Sequence, residues 1–157
     1  MNKKICVIMF FIVIMLLPLN VYSIDLTGPG SLTGIESMGL VIQFKEIGNL
    51  TKKQIKDDVK LKLLKSNIKV VNSSNNYLHV EASAFKEDDI GIVIYKIKIS
   101  FIQDTEITRN NMFFPSITWC NGNFGILDID AVQNIRDSVK DFLNLFILDY
   151  LKANPVK

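Results

Sequence analysis

Histidine and tryptophan each occur once in this 157-residue chain and cysteine twice, and these shortages exclude a good deal of chemistry. A zinc site needs three or four converging His, Cys or carboxylate donors, whereas His79 has only Glu81 beside it in sequence. No G-x-S-x-G is present, so no serine occupies the strained turn that many serine hydrolases use. Glu87-Asp88-Asp89 and Asp128-Ile129-Asp130 supply too few oxygens for a hard cation. The first reads as a solvated turn and the second as carboxylates facing the free N–H groups of a helix start. Gly28-Pro29-Gly30 is no dinucleotide fingerprint, because no strand is expected before it and no helix after it. No metal, no cofactor and no catalytic set is therefore expected.

What is present begins with an export signal. Lys3 and Lys4 precede an unbroken apolar run of 13 residues, Ile5 to Leu17, and a polar-leaning exit follows from Pro18 to Ser23. That is the order of a cleavable signal peptide, and the run is shorter than the roughly 20 residues a membrane-spanning helix requires. Cleavage near Ser23 would leave a periplasmic or secreted protein that touches the membrane only through its transient signal; the alternative is an uncleaved anchor, with Leu19 and Val21 extending the apolar stretch. Lys3 and Lys4 leave with the signal and no acid does, so 18 basic residues fall to 16 against 16 acidic ones. A neutral mature chain lacks the clustered cations that nucleic-acid binding needs. Cys6 leaves too and does not follow the small-residue pattern of a lipoprotein cleavage site, so Cys120 is left without an intramolecular partner. It reads as a small buried hydrophobe or as a free thiol.

Residues 24–36, with Gly28, Pro29, Gly30 and Gly34, form an expected extended leader, and residues 37–157 fit one domain. Leu40 to Phe44 reads as a strand. Thr51 and Gln54 predict a capping box, opening a helix with Ile55, Val59, Leu63 and Leu64 on one face and Ser66-Asn67 as its stop. Ile68 to Val71 reads as a second strand, and Tyr77 to Phe85 as a third, with Leu78, Val80, Ala82 and Ala84 on its inner face. A fourth places Val93, Tyr95, Ile97, Ile99 and Phe101 together. Thr105 to Met112 reads as looser chain. Pro115 predicts an edge strand or a strand starting after it, ending at Asn121-Gly122-Asn123. Asp130 with Gln133 predicts a second capping box. Val132, Ile135, Val139, Phe142, Phe146 and Tyr150 then make a long amphipathic helix, its stripe widened by Leu143, Ile147 and Leu151. The expected fold is α/β (α+β), a two-layer sandwich in the order β-α-β-β-β-β-α, with both helices on one face of a mixed, mostly antiparallel sheet.

Aromatic residues anchor binding surfaces, although in a domain of this size they more often form the core. The stretch Phe113 to Phe124 is the best candidate surface, with Phe113, Phe114, Trp119, Cys120 and Phe124 as binding residues and Asn121 and Gly122 loosening the backbone. Cys120 could also meet His79 on the outer sheet face as a thiol or hydrolytic pair, and the space between the second helix and the sheet could carry an apolar ligand. Asn49-Leu50-Thr51 and Asn72-Ser73-Ser74 fit glycosylation sequons, which a bacterial-looking signal leaves without use.

The segments Leu50 to Val59, Tyr77-Leu78-His79-Val80, Trp119-Cys120-Asn121-Gly122 and Ile135 to Val139 resemble a group of small exported bacterial proteins of uncharacterised function. The order of elements is similar to that of periplasmic envelope-assembly modules, such as the lipopolysaccharide-assembly lipoprotein and the amino-terminal domain of the Tol translocation protein, though this chain has no lipoprotein cysteine. Such a likeness implies a non-enzymatic module of the cell envelope whose partner is an envelope protein or lipid.

Overall fold

Helices and strands follow one another in the expected order, with one strand added in front. The computed structural model describes residues 24–26, 28–45, 49–87 and 89–155, so the expected signal peptide, residues 1–23, lies outside the described residues. The strands are β1 (Ile24–Leu26), β2 (Ser37–Phe44), β3 (Lys69–Val70), β4 (Tyr77–Glu87), β5 (Ile92–Ile107) and β6 (Met112–Asp128), and the helices are α1 (Lys52–Lys65) and α2 (Gln133–Ala153). They form one sheet in the order β1-β6-β5-β4-β2-β3. β2 runs parallel to β3 and β4, while β4, β5, β6 and β1 pair antiparallel. Two helices on one face of a mixed open sheet make this an α+β two-layer sandwich.

Side-chain alternation decides which face the helices cover. Register places Leu78 opposite Phe101, Val80 opposite Ile99 and Ala82 opposite Ile97, and Phe101 opposite Trp119 on the far side. All of these are buried, as are Ile55, Val59 and Leu63 of α1 and Ile135, Val139, Leu143, Phe146, Ile147 and Tyr150 of α2. Each such Val, Leu, Ile or Phe side chain contributes about 1.5–3 kcal/mol through burial. The space between α2 and the sheet, considered above for an apolar ligand, is occupied by rings. Phe146 lies 5.2 Å from Trp119 in a T-shaped contact, 5.8 Å from Phe101 and 6.3 Å from Tyr150.

Helix α1 begins and ends as its sequence predicts. The Gln54 N–H donates to Thr51 Oγ1 (3.3 Å), and the Thr51 N–H donates to Gln54 Oε1 (2.8 Å). At the other end Asn67 adopts φ 57°, and the Ile68 and Asn67 N–H groups donate back to the Leu63 and Leu64 carbonyls at 3.0 Å each. That pair of bonds is a Schellman stop, which needs a residue tolerating the left-handed region. Leu64 is the exception: it faces solvent and is 70% exposed.

Four further expectations are corrected. Residues 24–26 of the leader pair with Cys120, Asn121 and Gly122 as an edge strand, and a 3-10 turn at Pro29–Leu32 follows. Asn121-Gly122-Asn123 does not end β6, which runs on to Asp128; Gly122 is needed there because a Cβ would stand 2.2 Å from the Ile97 carbonyl oxygen. Asp130 caps nothing, since a 3-10 turn at Ile129–Ala131 leads into α2 and the cap position falls on Val132 without a side-chain bond. Thr105 to Met112 is not loose: only residues 108–111 turn, with Asn111 at φ 53°.

The last turn of α2 is tied to the front of the domain. Asn154 Nδ2 donates to the Leu32 carbonyl and the Gly34 N–H donates to Asn154 Oδ1, both at 2.8 Å, and the Tyr150 hydroxyl donates to the Ile35 carbonyl at 2.6 Å. Burial, with Glu36 nearby, pushes the Tyr150 phenol up from its ordinary value.

Candidate interaction surface

β5 outruns its neighbour on one side. Pairing with β4 stops at Ile102, opposite Tyr77, whereas pairing with β6 continues to Ile107 opposite Met112. Residues 103–107 and 112–116 therefore form a two-stranded arm projecting about 17 Å past the start of β4, at roughly 3.4 Å per residue. A register shift between Phe101 and Ile102 resets the pleat where the arm begins. Its ribbon is laced by the Thr105 hydroxyl, which bonds Ser116 Oγ at 2.6 Å and the Phe114 carbonyl at 3.3 Å. Gln103 Nε2 holds the arm's base to the Ser31 carbonyl at 3.0 Å.

The arm is apolar at its end. Phe113 is 64% exposed and Phe114 45%, and Ile107, Met112 and Ile117 are exposed beside them. Alternation sends Phe114 and Met112 toward the helix side and Phe113, Pro115 and Ile117 toward the other. On that second side Glu106 stands opposite Phe113 and Asp104 opposite Pro115. Pro115 is tolerated because β1 covers only residues 120–122 of β6, so the missing N–H falls where no ladder continues among the described residues.

The other proposed binding residues lie elsewhere. Trp119 and Cys120 are buried on opposite faces of β6, and the Trp119 indole N–H donates to Asp149 Oδ2 at 3.0 Å. Phe124 is exposed on the outer sheet face at the end remote from the arm. It adjoins a row made by Phe85, Ile94 and Ile126, which stand opposite one another across β4, β5 and β6, at a depression of about 300 Å³. His79, Ser100 and Cys120 share another such row. Ser100 separates the other two by a full strand, about 10 Å from first strand to third, and its hydroxyl contacts the Cys120 sulfur at 3.6 Å. Among the described residues no group of three or more His, Cys, Asp or Glu could hold a metal ion. No described helix is long and apolar enough to cross a membrane.

A basic groove on the helix layer was not singled out by the sequence. Arg136 of α2 grips Asp58 of α1 in a bidentate pair of 2.5 and 2.8 Å, and Lys140 reaches Asp58 at 3.9 Å and Asp137 at 3.0 Å. The hydrogen bond from Arg136 holds the Asp58 carboxyl below its ordinary range, with the charges of Arg136 and Lys140 adding to it. Asp58, Leu61, Lys62, Lys65 and Lys140 line a cavity of about 270 Å³ between the helices. The signal available in sequence was the composition of α1, six lysines against two aspartates, which periodicity alone treats as a solvated face.

No protein-family model and no curated protein matches the chain. Among solved structures, a PelC variant dodecamer from Paraburkholderia phytofirmans superposes with a TM-score of 0.48 at 10% identity, covering 85% of this chain and 98% of that one. A second PelC dodecamer gives 0.42 at 10%, covering 87% and 99%. The rare lipoprotein B from Shewanella oneidensis gives 0.26 at 14%, covering 74% and 88%. At such scores nothing about ligand, partner or assembly passes from those proteins to this one.

Proposed function

We propose that this protein is a non-enzymatic, exported binding or assembly module of the cell envelope, and that it docks on an envelope protein or lipid through the β5–β6 arm. The observation carrying this reading is the apolar end of the arm, with Phe113 (64% exposed) on one face, Phe114 (45%) on the other and Ile107, Met112 and Ile117 exposed beside them, on a ribbon stiffened by its own hydrogen bonds. Clusters of exposed apolar groups rimmed by polar residues mark contact sites, and aromatic side chains supply large buried area at such contacts.

Gentle crosslinking of native cells, followed by fractionation and intact-mass measurement, tests it. The processed chain is expected in a larger complex, from which the double variant Phe113→Ser, Phe114→Ser falls away. Recovery of the unaltered chain only as a free monomer at native abundance overturns the reading, as does a variant that crosslinks as well as the parent.

A further inference from the structure

Resting on the arm as the docking element, we propose that its partner is a second copy of this chain: the outer face of one arm sits in the α1–α2 groove of the next copy. The arm's outer face is acidic and apolar together, Asp104 and Glu106 on β5 standing opposite Pro115 and Phe113 on β6. Neither carboxylate has an ion-pair partner among the described residues. The groove has the complementary character. Lys62 and Lys65 are unpaired among the described residues, Leu61 (51% exposed) and Leu64 add apolar surface, and the cavity of about 270 Å³ beside Leu61 offers a ring a place to enter. Matching of acid with base fixes orientation and speeds encounter, while Phe113, with Pro115 and Ile117 beside it, supplies the burial.

Geometry separates this contact from its rivals. The outer arm face points away from the helix layer, so a chain cannot fill its own groove. Edge-to-edge strand pairing is blocked on the β6 edge of the arm at Pro115, which has no N–H to donate, and disfavoured on its β5 edge by the charges of Asp104 and Glu106, and the opposite edge of the sheet, β3, is only two residues long. One arm and one groove per copy make the interface heterologous, so association continues until a ring closes or a filament grows.

The test is sedimentation velocity on the processed chain at increasing concentration, in about 0.1 M and about 1 M salt, where the screening length drops from roughly 10 to roughly 3 Å. Self-association that weakens with salt is expected. Two variants, arm (Phe113→Ser, Phe114→Ser) and groove (Lys62→Glu, Lys65→Glu), should each lose it by at least about tenfold. Mixed together they should form a one-to-one pair and nothing larger, because one intact arm and one intact groove remain. Adding Asp104→Lys and Glu106→Lys to the groove variant should restore self-association. All these positions are exposed except Lys62, which is half-buried, and Trp119 emission verifies that each variant is folded. A parent chain that stays monomeric at every concentration overturns the inference, and so does a mixture that associates no better than its components. If the purified chain is monomeric while the arm variant still drops out of the crosslinked complex in cells, self-association fails and the docking role of the arm stands. If the arm variant keeps its place in both assays, both fall.

Discussion

Replacing Phe146 by alanine tests the partition of aromatic residues on which the functional reading depends. The ring is fully buried and stands within 5.2 to 6.3 Å of Trp119, Phe101 and Tyr150. Truncating a core phenylalanine costs about 3–5 kcal/mol, and with three aromatic contacts of about 0.5–1.5 kcal/mol each this site belongs at the upper end. Against a total stability of about 5–15 kcal/mol, that is a large fraction. With a urea dependence of about 2 kcal/mol per molar, the unfolding midpoint should fall by roughly 2 M. Trp119, the only tryptophan, touches the Phe146 ring, so its emission reports the transition directly. Phe113→Ala serves as the counterpart and should move the midpoint by no more than about 0.3 M, as expected for a surface change within about 0.5 kcal/mol. A Phe146→Ala midpoint within about 0.5 M of the parent, or a Phe113→Ala loss of equal size, would refute the division of rings between core and arm.

Asp58→Asn should cost about 1 kcal/mol at neutral pH, since the pair is bidentate but partly solvated. Because Arg136 depresses the folded carboxyl, this contribution is complete above the unfolded value of about 3.9 and fades as pH falls through the folded one. Urea midpoints of parent and variant should therefore converge in acid, and a constant gap down to pH 2 would count against the assignment. Gly122→Ala should destabilise by about 2 kcal/mol or more, its methyl group meeting backbone of Ile97 and Lys98 that cannot move aside cheaply; a thermal midpoint unchanged from the parent would contradict it. Cys120, 1% exposed, should resist alkylation in the native state and react only on unfolding, so prompt labelling at pH 7 would show the site to be open.

Elements whose signal is local are legible in the sequence. The alternation of β4 and β5, the Thr51–Gln54 box and the Asn67 stop each depend on residues a few positions apart, and each is found where the pattern puts it. The misplaced features depend on distant neighbours. β1 is a strand only because Cys120 to Gly122 lie alongside it. Gly122 reads as a breaker until the close approach of Ile97 shows why glycine is required. Asp130 and Gln133 have the spacing of a capping box, yet the 3-10 turn shifts the helix start past the acid. The candidate surface divides for the same reason: Phe113 and Phe114 pass beyond the end of β4, whereas Trp119, five residues on, is roofed by α2. Strand alternation cannot reveal where a neighbouring strand stops.

The seam between Asn154 and the Leu32–Gly34 backbone joins positions 120 or more apart. A polypeptide delivered amino end first, by a ribosome or through a translocation pore, presents the front half of that seam long before the back half exists. Such distant closures are slow to form, so α2 is the last piece to arrive and the strand face beneath it waits uncovered. Loss of only a few carboxy-terminal residues would leave every strand present and this fastening undone, exposing the half-finished domain to proteases and to its own kind.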